Sequence, residues 1–455
     1  MNNGLSNIKK VYFIGIGGIG MSGIAEYLAV QGIEVSGSDA ASSEITDRLK
    51  TFGIKIFDEH KAENISSDLD LIIYTAAVKE DNPELKKAKE LGIKFIKRAE
   101  MLGMIVNAKK LIAVSGAHGK TTTSSMISKV FIDANTDPLI FVGGNLDFLN
   151  GSSSRLGKGE YAIVEADEYD RSFLTLHPDI AVINNVEFDH SDVYKDLNDI
   201  MDSFKKFISN LKPDGVIVAY SGDENIKNLL IGLGNVKRFG FNEHDDFYIS
   251  DLRNENGVQY FKINGKELKL SVPGKHNVIN ATAAYACGFM CGIKDDIIAK
   301  ALYAFGGVKR RLELKYKNAI KVYDDYAHHP TEVRASFDAI RRNTDGRVIT
   351  VFQPHLYSRT KDFYKEFAKE LKDNDVVFLA KLYPAREKAI EGISSELILN
   401  ELKNLNKKDS YYFENDTELL NGIKKEIKNS DTLIFQGAGS ITNLCDKFIK
   451  EYINN

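Results

Sequence analysis

Cysteine is scarce in this 455-residue sequence, at three residues in all. Three thiols cannot build a disulfide framework, so a reducing cytoplasm is the expected compartment. A surplus of either charge is also lacking. Lys plus Arg number 60 and Asp plus Glu number 64, giving a formal net charge of −4. That balance excludes a nucleic-acid binder working through bulk charge, and no nucleic-acid partner is expected. No apolar run reaches the length needed to cross a bilayer, so no membrane partner is expected either. The nearest approach is residues 11–30, behind Lys9 and Lys10. That run is broken by Gly15, Gly17, Gly18, Gly20, Gly23 and Glu26, and no small-residue cleavage site follows. It reads as a glycine-rich turn between a strand and a helix rather than as a signal peptide. Fixed-period repeats and low-complexity segments are absent.

What is present is an alternation. Short apolar runs at 11–16, 69–74, 110–115, 161–165, 180–184, 216–219, 319–323, 347–352, 375–380 and 432–436 read as strands buried on both faces, as in parallel sheets. Helical patterns, such as 121–131, 331–341 and 361–371, lie between them. Strand and helix in turn predict βαβ units and an α/β fold. Around 246–270 the pattern changes to short alternating strands with the turn Asn264-Gly265, which predicts a small antiparallel insert. The length predicts about three domains. A boundary near residue 107 precedes the strand carrying a second glycine loop. The polar stretch 306–311 reads as a hinge. The expected domains are therefore 1–107, 108–310 and 311–455.

Two glycine loops carry the chemistry. Gly15-Ile16-Gly17-Gly18-Ile19-Gly20 follows a predicted strand and opens a predicted helix, and Asp39 closes the next strand. Glycines at this junction let a diphosphate approach the backbone and the free N–H groups of the helix end. Both NAD and a nucleotide-sugar present such a diphosphate. The second loop, Gly116-Ala117-His118-Gly119-Lys120-Thr121-Thr122, resembles a P-loop with two residues between its glycines instead of four. Its backbone would cradle phosphates, Lys120 would reach the β and γ oxygens of ATP, and a threonine hydroxyl could bind Mg²⁺. A magnesium ion needs further oxygens, and Glu165 ends a strand where a doubly wound sheet faces its ligand. Asp167, Glu168 and Asp170 read instead as loop or capping groups. His190, after another strand end, is equally a second metal ligand or a loop histidine.

Together these motifs resemble the Mur ligases of bacterial cell-wall synthesis. The resemblance rests on Gly119-Lys120-Thr121-Thr122, Glu165-Ala166-Asp167 and Asp189-His190. It extends through Gly15–Gly23 with Met21-Ser22, Lys275-His276-Asn277 with Asn280, Arg310-Arg311, the stretch from Asp324 to Pro330, Gln353-Pro354-His355 with Arg359, and Gln436-Gly437-Ala438-Gly439. It implies a Rossmann-like N-terminal domain, a central P-loop ATPase domain with a parallel sheet, and a C-terminal Rossmann-like α/β domain. It also implies an ATP- and Mg²⁺-dependent ligation of L-alanine to the lactyl carboxylate of UDP-N-acetylmuramate through an acyl phosphate, by a monomer or weak homodimer. Residue by residue, Gly15, Gly17, Gly18 and Gly20 would hold the UDP diphosphate, with Asp39 near the nucleotide-sugar. Gly116, Ala117, His118, Gly119, Lys120, Thr121 and Thr122 would hold ATP. Thr121 and Glu165 would bind one magnesium ion and His190 a second. Asn280 would approach the adenine and Arg311 the nucleotide. Tyr326, His329 and Arg359 would meet alanine or the reacting phosphate. Lys120, His190, His329 and Arg359 would carry the catalytic roles. Lys205 and Lys206 lie in the helix where other members carry a carbamylated lysine, a modification this branch is not expected to need.

Rival functions explain less. A dehydrogenase leaves the second loop and Glu165 without a role. A ligase for recycled murein peptide shares the ATPase, but residues 17–22 look like the alanine-adding branch. A nucleotide-sensing regulator is disfavoured by an intact Lys120, Glu165 and Arg359. Cys287 and Cys291 read as small buried helix residues. His328-His329 reads as one substrate contact and one structural histidine, because adjacent side chains diverge.

Overall fold

Long apolar strands such as Lys10–Ile14, with Val11 to Ile14 fully buried, form here because helices cover both sheet faces. The computed structural model describes residues 5, 7–190, 193–255, 257–385 and 387–453. They fall into two compact units. One gathers Met1–Glu187, Leu197–Tyr248 and Thr282–Ala301; the other gathers Phe188–Asp196, Ile249–Ala281 and Leu302–Asn455. No helix among the described residues is long and apolar enough to cross a membrane.

The first unit holds two parallel sheets. The N-terminal one is built from β1 (Lys10–Ile14), α1 (Ile19–Val30), β2 (Glu34–Ser38), α2 (Glu44–Thr51), β3 (Lys55–Phe57), β4 (Leu71–Tyr74), α3 (Pro83–Glu90), β5 (Phe95–Lys97) and α4 (Arg98–Val106). Its order is β3-β2-β1-β4-β5. Chain order reverses beside β1, so the crevice past its C-terminal end is where an open α/β sheet takes its ligand. The second sheet follows: β6 (Lys110–Ser115), α5 (Lys120–Asp133), β7 (Leu139–Leu146), β8 (Ser152–Leu156), β9 (Tyr161–Glu165), β10 (Ile180–Ile183), α6 (Leu197–Ser209), β11 (Val216–Tyr220), α7 (Glu224–Leu229) and β12 (Val236–Gly240). The strands β12-β11-β10-β6-β9-β7 run parallel, and β8 closes the edge antiparallel to β7. β6 is flanked by β10 and β9, so the second glycine loop leaves the sheet between the ends of those strands.

β13 (Phe247–Glu255) enters the second unit at Ile249 and forms a meander with β14 (Val258–Ile263) and β15 (Lys266–Leu270). Asn264 and Gly265 make its turn at φ 49° and 81°, as a two-residue hairpin demands. α8 (Lys275–Met290) and α9 (Asp295–Tyr303) follow. The last sheet comprises β16 (Glu313–Lys317), β17 (Lys321–Asp325), α10 (Pro330–Arg341), β18 (Val348–Phe352), α11 (Tyr357–Leu371), β19 (Val376–Leu379), α12 (Ser395–Asn404), β20 (Ser410–Tyr412), α13 (Asp416–Glu426), β21 (Thr432–Gln436) and α14 (Ile441–Phe448). Its order is β16-β17-β21-β18-β19-β20, parallel except for β16. Val322, Val351 and Phe435 pack with Leu419, Leu444 and Phe448 on one face. Phe352, Val377 and Leu379 pack with Val333, Phe367 and Leu402 on the other.

Three differences from the sequence reading matter for the site. The first run ends at Ile14 rather than residue 16, because Gly15 turns at φ 81°. The run at 319–323 is displaced to Lys321–Asp325. Asp324 and Asp325 stay in the ladder opposite Phe435 and Gln436, although hydropathy ends the strand before them. The helix expected from 361 starts at Tyr357, which puts Arg359 inside its first turn.

Candidate active site

In the first loop, Asp39 is tied to the loop itself. Its Oδ2 accepts the Gly17 N–H at 2.8 Å. A Cβ on Gly17 would meet that same oxygen at 2.8 Å, so the position demands glycine. Gly15 and Ile16 donate their N–H groups to Ser38 O. Gly18 starts α1 without a side-chain cap, and Gly18, Ile19 and Gly20 are exposed. Gly20 lies against Arg98, whose Nη1 would be 3.0 Å from a Cβ there. A helix end with open N–H groups beside a guanidinium suits an anionic ligand. Gly23 serves a different purpose. It lets α1 press on β8, where a Cβ would come within 2.8 Å of Ser154.

The second loop leaves β6 through Gly116 at φ 139° and enters α5 through Gly119 at φ 79°. Both conformations are open to glycine and rare for other residues. The His118 N–H donates to Asn185 Oδ1 at 2.8 Å, and the His118 ring lies 3.3 Å from Glu187. Lys120 folds over the loop. Its Nζ donates to Gly116 O at 2.8 Å, to Ala117 O at 3.3 Å and to Glu168 Oε1 at 2.8 Å. Burial alone would lower the Lys120 pKa. The carboxylates of Glu168, Asp167 and Glu165 outweigh it and hold the ammonium well above the usual lysine range. Thr122 and Thr121 are buried in the first turn of α5.

Glu165 ends β9. One of its oxygens accepts the Gly143 N–H at 2.8 Å, and a Cβ on Gly143 would strike both carboxylate oxygens at 2.6 Å. The other oxygen, like the Thr121 hydroxyl, takes no hydrogen bond among the described residues. Two such hard oxygens fit a magnesium ion. Lys205 and Lys206 are exposed on α6, Lys205 beside Asp202 at 3.0 Å.

The second unit gathers a separate cationic cluster. Arg359 and Asp189 are both buried, with Nη2 2.7 Å from Oδ1. Burial alone would raise the Asp189 pKa, but Arg359, then His190 and His328, hold it far below the carboxylate range. His190 adopts φ 57°, with its ring 3.9 Å from Asp189. Arg359 Nη1 faces His355 Nδ1 at 3.4 Å, while Arg359 Nε is buried with no hydrogen-bond partner among the described residues. His328 contacts Glu332 at 3.3 Å, and burial pushes its pKa down to about 3. His329 stands at the residue before α10, without a side-chain cap bond, and its ring lies edge-on to Phe363 at 5.0 Å. Arg310 and Arg311 both lie over Tyr326, at 4.8 and 4.9 Å from the ring centroid. Arg310 Nη2 also donates to Gly437 O and Gly439 O, and Arg311 reaches Glu332 at 3.4 Å. Asn280 is buried in α8 and donates to Asn277 at 3.3 Å.

Thus the first unit brings Gly15 to Gly20 together with Asp39, and Gly116 to Thr122 together with Glu165. In the second, Tyr326 and Arg359 follow the C-terminal ends of β17 and β18, Arg311 lies over Tyr326, and His190 stands beside Asp189, the partner of Arg359.

The comparisons with known proteins agree with this layout. The description "Mur ligase family, catalytic domain" matches residues 10–110, "Mur ligase middle domain" matches 114–288, and "Mur ligase, glutamate ligase domain" matches 310–439. The chain belongs to the Mur ligase family. The UDP-N-acetylmuramate–L-alanine ligase of Clostridium tetani is 44% identical over 98% of this chain and 99% of its own length. The protein of the same name from Persephonella marina is 41% identical, over 98% of each. Among solved structures, UDP-N-acetylmuramate-alanine ligase from Thermotoga maritima aligns at a TM-score of 0.81 and 31% identity, covering 98% of this chain and 99% of that one. A murein peptide ligase from Psychrobacter arcticus shares the fold at a TM-score of 0.72 and 22% identity, covering 97% and 98%.

Several residues of this Mur ligase's site escape a reading by motif. Glu168, taken from sequence as a loop or capping group, is buried and paired with Lys120. Gly143 orients Glu165. Its signal was present, since a Gly-Gly pair in the apolar run of β7 marks a close approach. Asp189 stands in a recognised motif, but its buried pairing with Arg359, 170 residues away, has no local signal.

Proposed function

We propose that this Mur ligase joins L-alanine to the lactyl carboxylate of UDP-N-acetylmuramate, with cleavage of ATP to ADP and phosphate, in peptidoglycan precursor synthesis. The likeness that carries this reading is full-length: relatives named for this reaction are 41–44% identical over 98% of the chain. The reaction belongs in the cytoplasm, and the enzyme acts as a monomer or weak homodimer. The domain boundaries remain those read from sequence, at 107/108 and 310/311.

The chemistry begins with a poor acyl donor. A lactyl carboxylate oxygen attacks the γ-phosphorus, ADP leaves, and an acyl phosphate forms. The alanine amine, having lost a proton, then attacks the acyl carbon, and phosphate departs from the tetrahedral intermediate. Each step crowds anions together, so the protein's task is to supply cations and oriented N–H groups. Gly15, Gly17, Gly18 and Gly20 hold the UDP diphosphate, with Asp39 fixing the loop through Gly17. Gly116 to Thr122 hold the ATP phosphates, and Lys120 neutralises charge on the transferring group. It must give up at least one of its three present hydrogen bonds to do so. Thr121 and Glu165 hold one Mg²⁺ and His190 a second; when bound, these ions supply charge neutralisation on the phosphates. Asn280 approaches the adenine and Arg311 the nucleotide, while Tyr326 and His329 line the amino-acid side.

Arg359 grips the alanine carboxylate. Its buried Nε, without a hydrogen-bond partner among the described residues, supports this role, because it leaves the guanidinium a charge-assisted donor for a carboxylate while Nη2 stays on Asp189. Phosphate release measured with UDP-N-acetylmuramate and a panel of amino acids and murein peptides tests the proposal. Release should require the nucleotide-sugar and be greatest with L-alanine. Preference for a murein tripeptide would assign the chain to peptide recycling instead.

A further inference from the structure

Leu356 is buried, yet its backbone stands at φ 69° and ψ 139°. A leucine rarely adopts a positive φ, and it persists only where the surroundings over-determine it. Here they do. Leu356 N donates to Tyr383 O at 2.9 Å, and Tyr383 N donates to Pro354 O at 2.8 Å. On its other side, Leu356 O accepts from Thr360 N at 3.1 Å and from Thr360 Oγ1 at 2.8 Å. These bonds clamp residues 354–360 where the chain turns from β18 into α11. The residue before the turn, His355, stacks on Tyr383 with ring centroids 5.8 Å apart. Arg359, three residues after the turn, meets both His355 at 3.4 Å and Asp189 at 2.7 Å. An ordinary β or α backbone at 356 would send α11 off in another direction and break that convergence.

We infer that Leu356 is a positioning residue: its left-handed backbone, rather than its side chain, aims Arg359 at the carboxylate of the incoming amino acid. The inference rests on the reading of Arg359 given above.

The test uses the full-length enzyme and four variants. Leu356→Gly keeps the positive φ without strain, Leu356→Ala keeps it strained and loses the side chain, and Leu356→Val resists it, because a β-branched residue tolerates positive φ least. The Gly variant should melt about 2–4 °C above the Ala variant, the reverse of the usual order, because glycine carries no strain there. The Gly and Ala variants should keep the wild-type KM for alanine, and the Val variant should raise it about threefold or more, with ATP KM unchanged. A raised alanine KM in the Gly variant, a lower melting temperature for Gly than for Ala, or an unchanged alanine KM in Leu356→Val would each overturn the inference. Arg359→Lys separates the two levels. If it leaves kcat/KM for alanine unchanged, the Arg359 reading falls and takes this inference with it. If it lowers kcat/KM while the Leu356 variants behave alike, only this inference falls.

Discussion

At the residue scale, function concentrates in a few side chains whose partners are fixed by burial. Lys120 keeps its charge in a half-buried loop because Glu168 and its neighbours demand it. Lys120→Ala should lower turnover by roughly a hundredfold or more while the protein stays folded, since the lost interaction acts on the transferring phosphoryl group. Near wild-type turnover in a folded variant would remove Lys120 from the chemistry. Gly143 acts through Glu165. Gly143→Ala would put a methyl 2.6 Å from both carboxylate oxygens, so Glu165 must swing away. Activity titrated against Mg²⁺ should then need several-fold more metal, by loss of one oriented ligand. An unshifted titration would show that Glu165 is not a ligand. For Arg359, Lys is the informative substitution, because Ala would leave Asp189 buried and unpaired at a cost of about 3–5 kcal/mol. Arg359→Lys should lose about tenfold in kcat/KM for alanine, or about 1.4 kcal/mol, as measured at saturating ATP and UDP-N-acetylmuramate.

At the element scale, sequence reading was reliable for what is local. Both glycine loops lie at the strand–helix junctions where the spacing of their glycines put them. The Asn264-Gly265 turn joins two antiparallel strands as its chemistry requires. The run at 319–323 stops short of the true end of β17, because hydropathy cannot see that Asp324 and Asp325 remain in a ladder. The strands β3, β5 and β20, with three residues each, are too short to show a pattern, and the edge strand β16 carries charge at three of its five positions. Long-range pairs such as Arg359 with Asp189, or Glu165 with Gly143, arise only when the sheets assemble. The start of α8 offers a test at this scale. His276 is lowered to about 4, first by burial and then by Arg311, with Glu332 and Asp338 opposing. It is therefore neutral when folded at neutral pH. The unfolded chain takes up a proton near pH 6.5 that the folded chain resists down to about 4, so stability must fall as pH drops through that window. The ring keeps some solvent contact, so the loss between pH 7 and 5 should be about 1–2 kcal/mol rather than the full linkage value. Denaturant unfolding at both pH values should show a shallower decline for His276→Gln. Identical slopes would mean that the histidine titrates normally.

At the scale of the whole molecule, the chain divides its chemistry. The first unit holds the two glycine loops and Glu165; the second holds His190, the guanidiniums and the histidine cluster. That division follows from doubly wound sheets, each offering strand ends and helix starts to anions, with function grafted on by a few loops. Motif spacing revealed the family because those loops are short and local. It could not reveal which residues support them from a distance. The central claim, that ATP is spent to activate the lactyl carboxylate as an acyl phosphate, has a direct test. UDP-N-acetylmuramate carrying ¹⁸O in both carboxylate oxygens is turned over with L-alanine and ATP, and the released phosphate is analysed by mass spectrometry. One ¹⁸O should appear in each phosphate, with the other retained in the new amide. Phosphate free of ¹⁸O would mean that the carboxylate never bonded to the γ-phosphorus, and would contradict the mechanism.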